Sequence, residues 1–455
     1  MPLTSYQLAK IRQKDATTPE ALKRNSLNDY TEGYFHVTLN TRGEAPLLGY
    51  ITGQAGGTGA SAPKCVLTEL GQKVENEWRG IGRYYPECVC EEIQVMPEHM
   101  HALLHLLPAN KAHLGRIING LMIGCTHAYW DTLGIPWRQM RKHIEEALKH
   151  KVATNADTPS VNNQQKALLA QWQDRDHSRS LRGPALFVRG YNDVEALTAE
   201  EVQTKRQYIR TNVERRITKG EHPQLFCIHR NKKSANWTPE RIMQGLCADR
   251  FIAADRNKQV AAWHHLTQKG LRNDRGHVDA TLKLDNGVPL LDLVGNMELL
   301  QRPLLPLICH RADAALFEQQ KAAILKAARE QNAVIVTACV SPKERDIVKT
   351  LQQELLPVIA VMDNGFSERY KPSGKAFYAV AEALRLEVTP WEYEYLPREF
   401  HPAKDGQGRP VLNAAGHTEK EEMPHISREM CLVMNEVVRL ISRKPDDWWK
   451  NAGYI

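Results

Sequence analysis

The sequence predicts a two-part fold: an α+β domain of mixed strands and helices up to about residue 225, then a smaller α/β domain of Rossmann type. Three patterns carry this expectation. In the first half, strand-like runs at 34–40, 92–96 and 100–107 lie beside helix-length stretches at 67–84, 114–130 and 198–220. In the last of these, Val202, Ile209, Val213 and Ile217 recur at seven, four and four residues, the spacing of one buried helix face. From Leu304 the texture changes. Apolar runs at 304–309, 333–337 and 357–362 alternate with helical stretches at 312–331 and 342–354, the alternation of a parallel sheet with crossover helices.

Residues 1–30 are polar, a tether or short helix without the apolar core of a signal peptide. After the first strand, Gly53–Ser61 is rich in glycine but lacks the Gly-Lys-Ser/Thr ending of a phosphate loop, so a flexible loop is expected. The helix over 67–84 places Leu70, Val74 and Trp78 on one side. The stretch from Ile135 is charged, with a helix expected over 138–151 and a polar loop at 155–165.

Between these elements lie the residues with chemistry. His99 and His101 sit two apart in a strand, so they project from one face while Met100 points to the other. Two neutral imidazoles so placed can grip one divalent metal and leave positions open for a phosphate oxygen. A half-buried strand with two polar residues facing outward gives the same pattern. In the helix at 198–220, Thr198 and Glu201 have capping-box spacing and Gly220 suits the helix end. Beside its apolar stripe runs a second face of Lys205, Tyr208, Asn212 and Arg215. A tyrosine and an amide one turn apart, flanked by cations, suit an exposed nucleophile with a metal-ligand or orienting partner; they also suit an ordinary amphipathic helix. Nine Lys and Arg fall between Gln203 and Lys233 against Glu214 and Glu221, in a chain of net charge +7. That density favours a polyanionic partner.

Met96-Pro97-Glu98-His99-Met100-His101 and Tyr208-Ile209-Arg210-Thr211-Asn212-Val213-Glu214-Arg215 together resemble the motifs of the single-tyrosine HUH nucleases, specifically the REP-associated tyrosine transposases and related insertion-sequence transposases. The opening strand Tyr34-Phe35-His36-Val37-Thr38-Leu39-Asn40 and Arg189-Gly190-Tyr191-Asn192-Asp193 add to the resemblance, which spans residues 31–225. Glu98 stands where the family often has Asn, and Val213 where it usually has Pro; neither removes a reacting group. Two apparent insertions, about 41–72 and 135–181, interrupt the match.

The resemblance implies an HUH-type nuclease domain, an antiparallel sheet carrying the histidines with helices packed on it. It implies transesterification on single-stranded or hairpin DNA, in which Tyr208 attacks a backbone phosphorus to form a 5′-phosphotyrosine and free a 3′-hydroxyl. His99, His101 and Asn212 would hold Mg²⁺ or Mn²⁺. Lys205, Arg210, Arg215 and Arg216 would contact the DNA. Related enzymes act as monomers or as homodimers that donate the tyrosine helix in trans, and the sequence leaves both open. The competing readings are a DNA-binding regulator descended from such a transposase, or a nucleotide-sensing module built on the second domain.

That second domain, 296–398 after a helical connector at 226–295, more loosely resembles the nucleotide-binding domain of DprA and SLOG type. Asp363-Asn364-Gly365-Phe366 and Tyr370-Lys371-Pro372-Ser373-Gly374 carry the likeness. Cys309-His310-Arg311 stands where the glycine-rich signature is expected, so a nucleotide ligand and a structural or single-stranded-DNA platform are both open. Ser341-Pro342-Lys343-Glu344 caps a helix directly after a strand, a place where backbone N–H groups bind anions. In the connector, 248–269 is the clearest helix, and Cys227, His229, His264 and His265 have no partners at metal spacing. Residues 399–455 read as a tail with a helix.

The whole chain has 455 residues, 42% apolar and 25% charged, the balance of an ordinary protein of two or three domains. No apolar run reaches the ~18 residues of a membrane span, so no membrane partner is expected. Nine cysteines fall without CxxC spacing. Cys88 and Cys90 are expected as reduced structural thiols, and the protein as cytoplasmic.

Overall fold

The computed structural model describes residues 30–139, 142, 185–271, 278–309, 313–368, 370–394, 400–411, 420–422 and 426–450. The polar loop at 155–165, nearly all of the N-terminal tether and most of the helix expected over 138–151 lie outside these residues. The chain divides into two compact units, one ending at Thr218 and the other running from Lys219.

The first unit runs β1 (Gly33–Asn40), β2 (Gly49–Thr52), β3 (Lys64–Leu67), α1 (Glu69–Arg79), β4 (Cys88–Val95), β5 (His99–Leu106), α2 (Leu114–Thr132), β6 (Asn192–Ala196), α3 (Ala199–Arg210) and α4 (Asn212–Glu221). Four strands make one antiparallel sheet in the order β4-β5-β1-β6. The strands β2 and β3 pair separately, and the glycine-rich stretch is the tip of that hairpin. On one face of the sheet Phe35, Val37, Leu39, Met100, Ala102 and Leu104 pack against α1 and α2 in the core of the unit. Leu70, Val74 and Trp78 are the buried side of α1, as their spacing predicts, with Thr68 capping its start. The opposite face is where the histidines lie. Thr38 pairs with His101 and Asn40 with His99, so Tyr34, His36, Thr38 and Asn40 share it with His99, His101 and His105. Helix α3 covers this face, with Val202 and Ile209 packed on Leu103 and Ala196.

The sequence suggests one continuous helix over 198–220, but the helix is interrupted at Thr211. The Thr211 hydroxyl donates to the carbonyl of Gln207 at 2.8 Å, back-bonding that bends helices. The break shifts the helical phase from Asn212 onward. Ile217 is only half-buried, whereas Asn212 and Arg215, expected on an exposed face, are each 4% exposed.

The second unit contains β7 (His229–Lys232), α5 (Pro239–Leu246), α6 (Arg250–Ala253), α7 (Arg256–Thr267), β8 (Leu284–Asp285), β9 (Val288–Pro289), β10 (Leu291–Gly295), β11 (Leu304–Leu307), α8 (Ala314–Glu330), β12 (Val334–Thr337), α9 (Pro342–Gln353), β13 (Val358–Val361), α10 (Gly374–Ala381), β14 (Arg385–Thr389) and, after the short pair β15 (Phe400–Pro402) and β16 (Lys420–Glu422), α11 (Arg428–Ser442). Its large sheet has the order β11-β12-β13-β14-β10-β7. The first four strands are parallel, and β10 and β7 extend the sheet antiparallel.

Four features differ from the sequence expectation. The sheet is mixed rather than Rossmann-type parallel. Its parallel strands follow one another in sequence order, so it has no strand-order reversal of the kind that opens a nucleotide crevice in doubly wound folds. The stretch expected as a connector supplies β7 and β10: β10 is a largely apolar, fully buried strand that joins the sheet beside β14, and the polar β7 pairs with it at the edge. The helix expected over 248–269 is two helices, capped separately by Asp249 and Asp255. The expected tail is part of the core: Met430, Val433, Met434 and Val437 of α11 bury against Val334, Val336 and Ile359.

Two sequence motifs are absorbed by the fold. At the start of α9 the fully buried Glu344 carboxyl turns back to accept from the N–H groups of Val340 and Ser341, which precede the helix, and of Cys309 after β11. In the 363–366 turn, Asn364 accepts from Gly365 and Glu394 and donates to the carbonyl of Glu394. A Cβ on Gly365 would lie 2.2 Å from the backbone nitrogen of Tyr393, so glycine is required there.

The edge of the second sheet is fastened by one buried carboxylate. Asp292, at 0% exposure, accepts from Lys283 Nζ at 2.8 and 2.7 Å, from Arg230 Nη1 at 3.0 Å and from the Asn231 N–H at 2.8 Å. Removing one partner of such a cluster strands the other charges in a dry site. Asp292→Ala should therefore lower the stability of this unit by about 3–5 kcal/mol, seen as an earlier denaturant midpoint by circular dichroism. An unchanged midpoint would refute it.

Candidate active site

The strand face that carries His99 and His101 is fixed by its hairpin turn. The Met96 N–H donates to the His99 carbonyl at 2.8 Å. The N–H and hydroxyl of Thr41 both donate to the Glu98 carbonyl, at 2.8 and 2.9 Å, and the Leu48 N–H to that of Pro97 at 3.0 Å. Residues at the start of the first apparent insertion, Thr41 and Leu48, thus clamp the loop that starts the histidine strand.

Tyr208 comes down on this face from α3. Its ring meets His101 edge-on at 5.5 Å between centroids and His36 at 5.6 Å. His99 and His101 are 4.9 Å apart on the same measure. The Arg215 guanidinium lies over the Tyr208 ring at 5.2 Å, a cation–π contact that helps to seat it. Three expected site residues, His99, His101 and Tyr208, are therefore neighbours, and all come from one chain. Asn212 is buried, and its Nδ2 has no hydrogen-bond partner among the described residues.

Both strand histidines are held through Nδ1. The Nδ1 of His99 lies 3.0 Å from Glu98 Oε1. The Nδ1 of His101 lies 2.9 Å from Thr38 Oγ1 and 3.1 Å from His36 Nε2. Metal-binding imidazoles are commonly oriented through the nitrogen that does not bind. Two imidazoles held in this way keep Nε2 for one divalent cation; the orphaned Nδ2 of Asn212 is a donor and no ligand, so that amide could join only through Oδ1. No group of three or more His, Cys, Asp or Glu suited to a metal occurs among the described residues, so a cation here would draw on Asn212 and on substrate oxygens.

His36 lies outside the set of site residues that the sequence singles out. Burial, and then the charge of Lys205, push its pKa down to about 4, so the ring is neutral near pH 7. Lys205 accordingly sits within electrostatic reach of the site. Glu98 is held below the ordinary carboxylate range: burial opposes this, but the hydrogen bond and charge of Arg216, with His99, outweigh it.

The basic helix is less free than its sequence suggests. Arg206 pairs with Glu91, Arg210 with Glu92 at 2.6 Å, and Arg216 with Glu98. The three glutamates come from β4 and its turn, more than a hundred residues earlier. Arg210 and Arg216 still expose 62% and 45% of their side chains, whereas Arg215 is buried. A rival tyrosine, Tyr34, stacks on His105 at 3.9 Å. Burial and the neighbouring Glu91 raise its phenol pKa, making it a poorer nucleophile. Outside this site, His265 is engaged by the buried Asp279 at 2.7 Å, and Cys227 is exposed.

Comparison with known proteins adds little to this geometry. No family model matches the chain. An uncharacterised protein of Haemophilus influenzae (strain Rd) is 23% identical over 87 residues, which is 19% of this chain and 43% of that protein. The chain thus spans less than half the length of that relative. A crystal structure of a protein from Deinococcus radiodurans R1, provisionally assigned as a transposase, aligns over 42% of this chain and 97% of its own at 13% identity, with a TM-score of 0.20. A score that low does not establish a common fold. Among the described residues, no helix is long and apolar enough to cross a membrane.

Proposed function

We propose that this chain is a metal-dependent single-stranded-DNA transesterase of transposase type, with Tyr208 as its nucleophile. The observation that supports it most directly is the Tyr208 ring lying against His101 on the face shared with His99. In the step proposed, Tyr208 Oη forms a bond to a backbone phosphorus and the bond from that phosphorus to the 3′ oxygen breaks. The phenolic proton leaves Tyr208, and the 3′ oxygen ends protonated as a hydroxyl. The phosphodiester energy is kept in the 5′-phosphotyrosine, so strand joining needs no ATP. Mg²⁺ or Mn²⁺, held by His99, His101 and Asn212, would neutralise and orient the scissile phosphate.

The remaining work falls to side chains of the protein. Arg215 seats the Tyr208 ring, Thr38 and His36 hold His101, and Glu98 holds His99. Arg210 and Arg216, exposed beyond their glutamate partners, together with Lys205 would meet phosphates flanking the cut. Because Tyr208 reaches the histidines of its own chain, a single copy contains every group named.

Incubation of the full-length protein with a pool of hairpin-bearing single-stranded oligonucleotides and Mn²⁺ should give a protein–DNA adduct that survives denaturation, and EDTA should prevent it. Binding without an adduct at any metal concentration would favour the DNA-binding regulator instead.

A further inference from the structure

The histidine face contains two imidazoles beyond the pair the reaction uses, His36 and His105, and His36 is the one that touches the reacting groups. His36 is 8% exposed, lies beside the buried His101, and meets the Tyr208 ring as well. Its neighbour on the same strand face, Thr38, is directly across the ladder from His101. Both side chains converge on a single atom, Nδ1 of His101. An imidazole has one proton to place between two nitrogens when neutral, and a partner at one nitrogen decides which keeps its lone pair.

We propose that His36 and Thr38 are positioning residues that lock His101 in the tautomer protonated at Nδ1, which presents the Nε2 lone pair to a divalent cation. His36 accepts the Nδ1 proton of His101 through its own Nε2, and Thr38 Oγ1 shares that proton. The geometry assigns His36 to this task rather than to the cation itself, because its Nε2 is directed at His101. The same ring fills the space beside Tyr208, so it fixes ligand and nucleophile from one position. His99 uses a different device, the carboxylate of Glu98, so the two histidines depend on different partners.

The inference rests on the metal-site reading proposed for His99, His101 and Asn212, and the test separates the two. Mn²⁺ binding by the full-length protein is measured by electron paramagnetic resonance, without DNA, for wild type, His36→Phe and His36→Gln. Phenylalanine keeps the ring volume but has no acceptor; glutamine returns an oxygen near the position of Nε2. Thermal melting checks that each variant is folded. His36→Phe should weaken Mn²⁺ binding about 10–100-fold, and His36→Gln should recover most of it. Nitrogen-15 spectra of histidine-labelled protein, with His101 assigned by loss of its signals in His101→Ala, should show the Nδ1–H form in wild type and a mixture in His36→Phe.

Equal Mn²⁺ affinity and an unchanged His101 tautomer in His36→Phe would overturn this role and leave the active-site reading standing. Equal losses in both variants, accompanied by a lowered melting temperature, would make His36 structural only and also overturn it. Failure of the wild type itself to bind Mn²⁺ would overturn the metal site, and this role with it.

Discussion

Tyr208→Phe is expected to abolish nicking and the denaturation-resistant adduct together, a loss of at least about 10³-fold, the scale of deleting a covalent nucleophile. The substitution removes one oxygen and keeps the ring, so the edge-on contacts to His36 and His101 and the Arg215 cation–π contact survive. Melting temperature and DNA affinity should therefore barely move. Mass spectrometry of the wild-type adduct should place the nucleotide on the peptide containing Tyr208. Tyr34 provides the internal control, because it too lies beside a histidine but against Glu91. An adduct persisting in the phenylalanine variant, or a label on Tyr34, would discard the assignment.

What is legible in the sequence is what depends on short-range periodicity. His99 and His101 have to share a face because strand side chains alternate, and they do. Leu70, Val74 and Trp78 have to share a helix side, and they are its buried residues. What is not legible depends on partners distant in the chain. The pairing of Thr38 with His101 is a matter of strand register, and only that register brings His36 to His101. The nine-to-two excess of basic residues is a property of the linear chain, whereas three glutamates from β4 and its turn are what those arginines meet.

The second unit teaches the same lesson from its topology. Alternating strands and helices are visible in the sequence, but strand order is not, and the consecutive order of the parallel strands lacks the reversal found in doubly wound folds. The capping box at Ser341 is legible because it is local. That the Glu344 carboxyl also accepts from Cys309, thirty-five residues away, and so ties the helix start to the end of β11, is not. The break at Thr211 lies between these cases. Threonine back-bonding is local, but the burial of Asn212 and Arg215 in the turn after the break depends on neighbours from elsewhere in the chain.

Loss of either strand histidine should remove metal-dependent cleavage, by about 100-fold or more if each is a true ligand. The two differ in a way that makes the comparison informative. His101 is 6% exposed and packed among His36, Thr38 and Tyr208, so His101→Ala also opens a cavity and should lower the melting temperature. The His99 side chain is 19% exposed and paired mainly through Glu98, so His99→Ala should cost little stability. If the pair holds a metal, both variants lose cleavage to a similar extent despite this difference, while gel-shift affinity for single-stranded DNA, which rests on separate basic residues, stays near that of wild type. If the histidines serve only packing, the loss follows burial: His101→Ala is impaired, His99→Ala cleaves normally, and the metal assignment fails. Parallel loss of binding and cleavage in His99→Ala would instead place that histidine in the DNA contact.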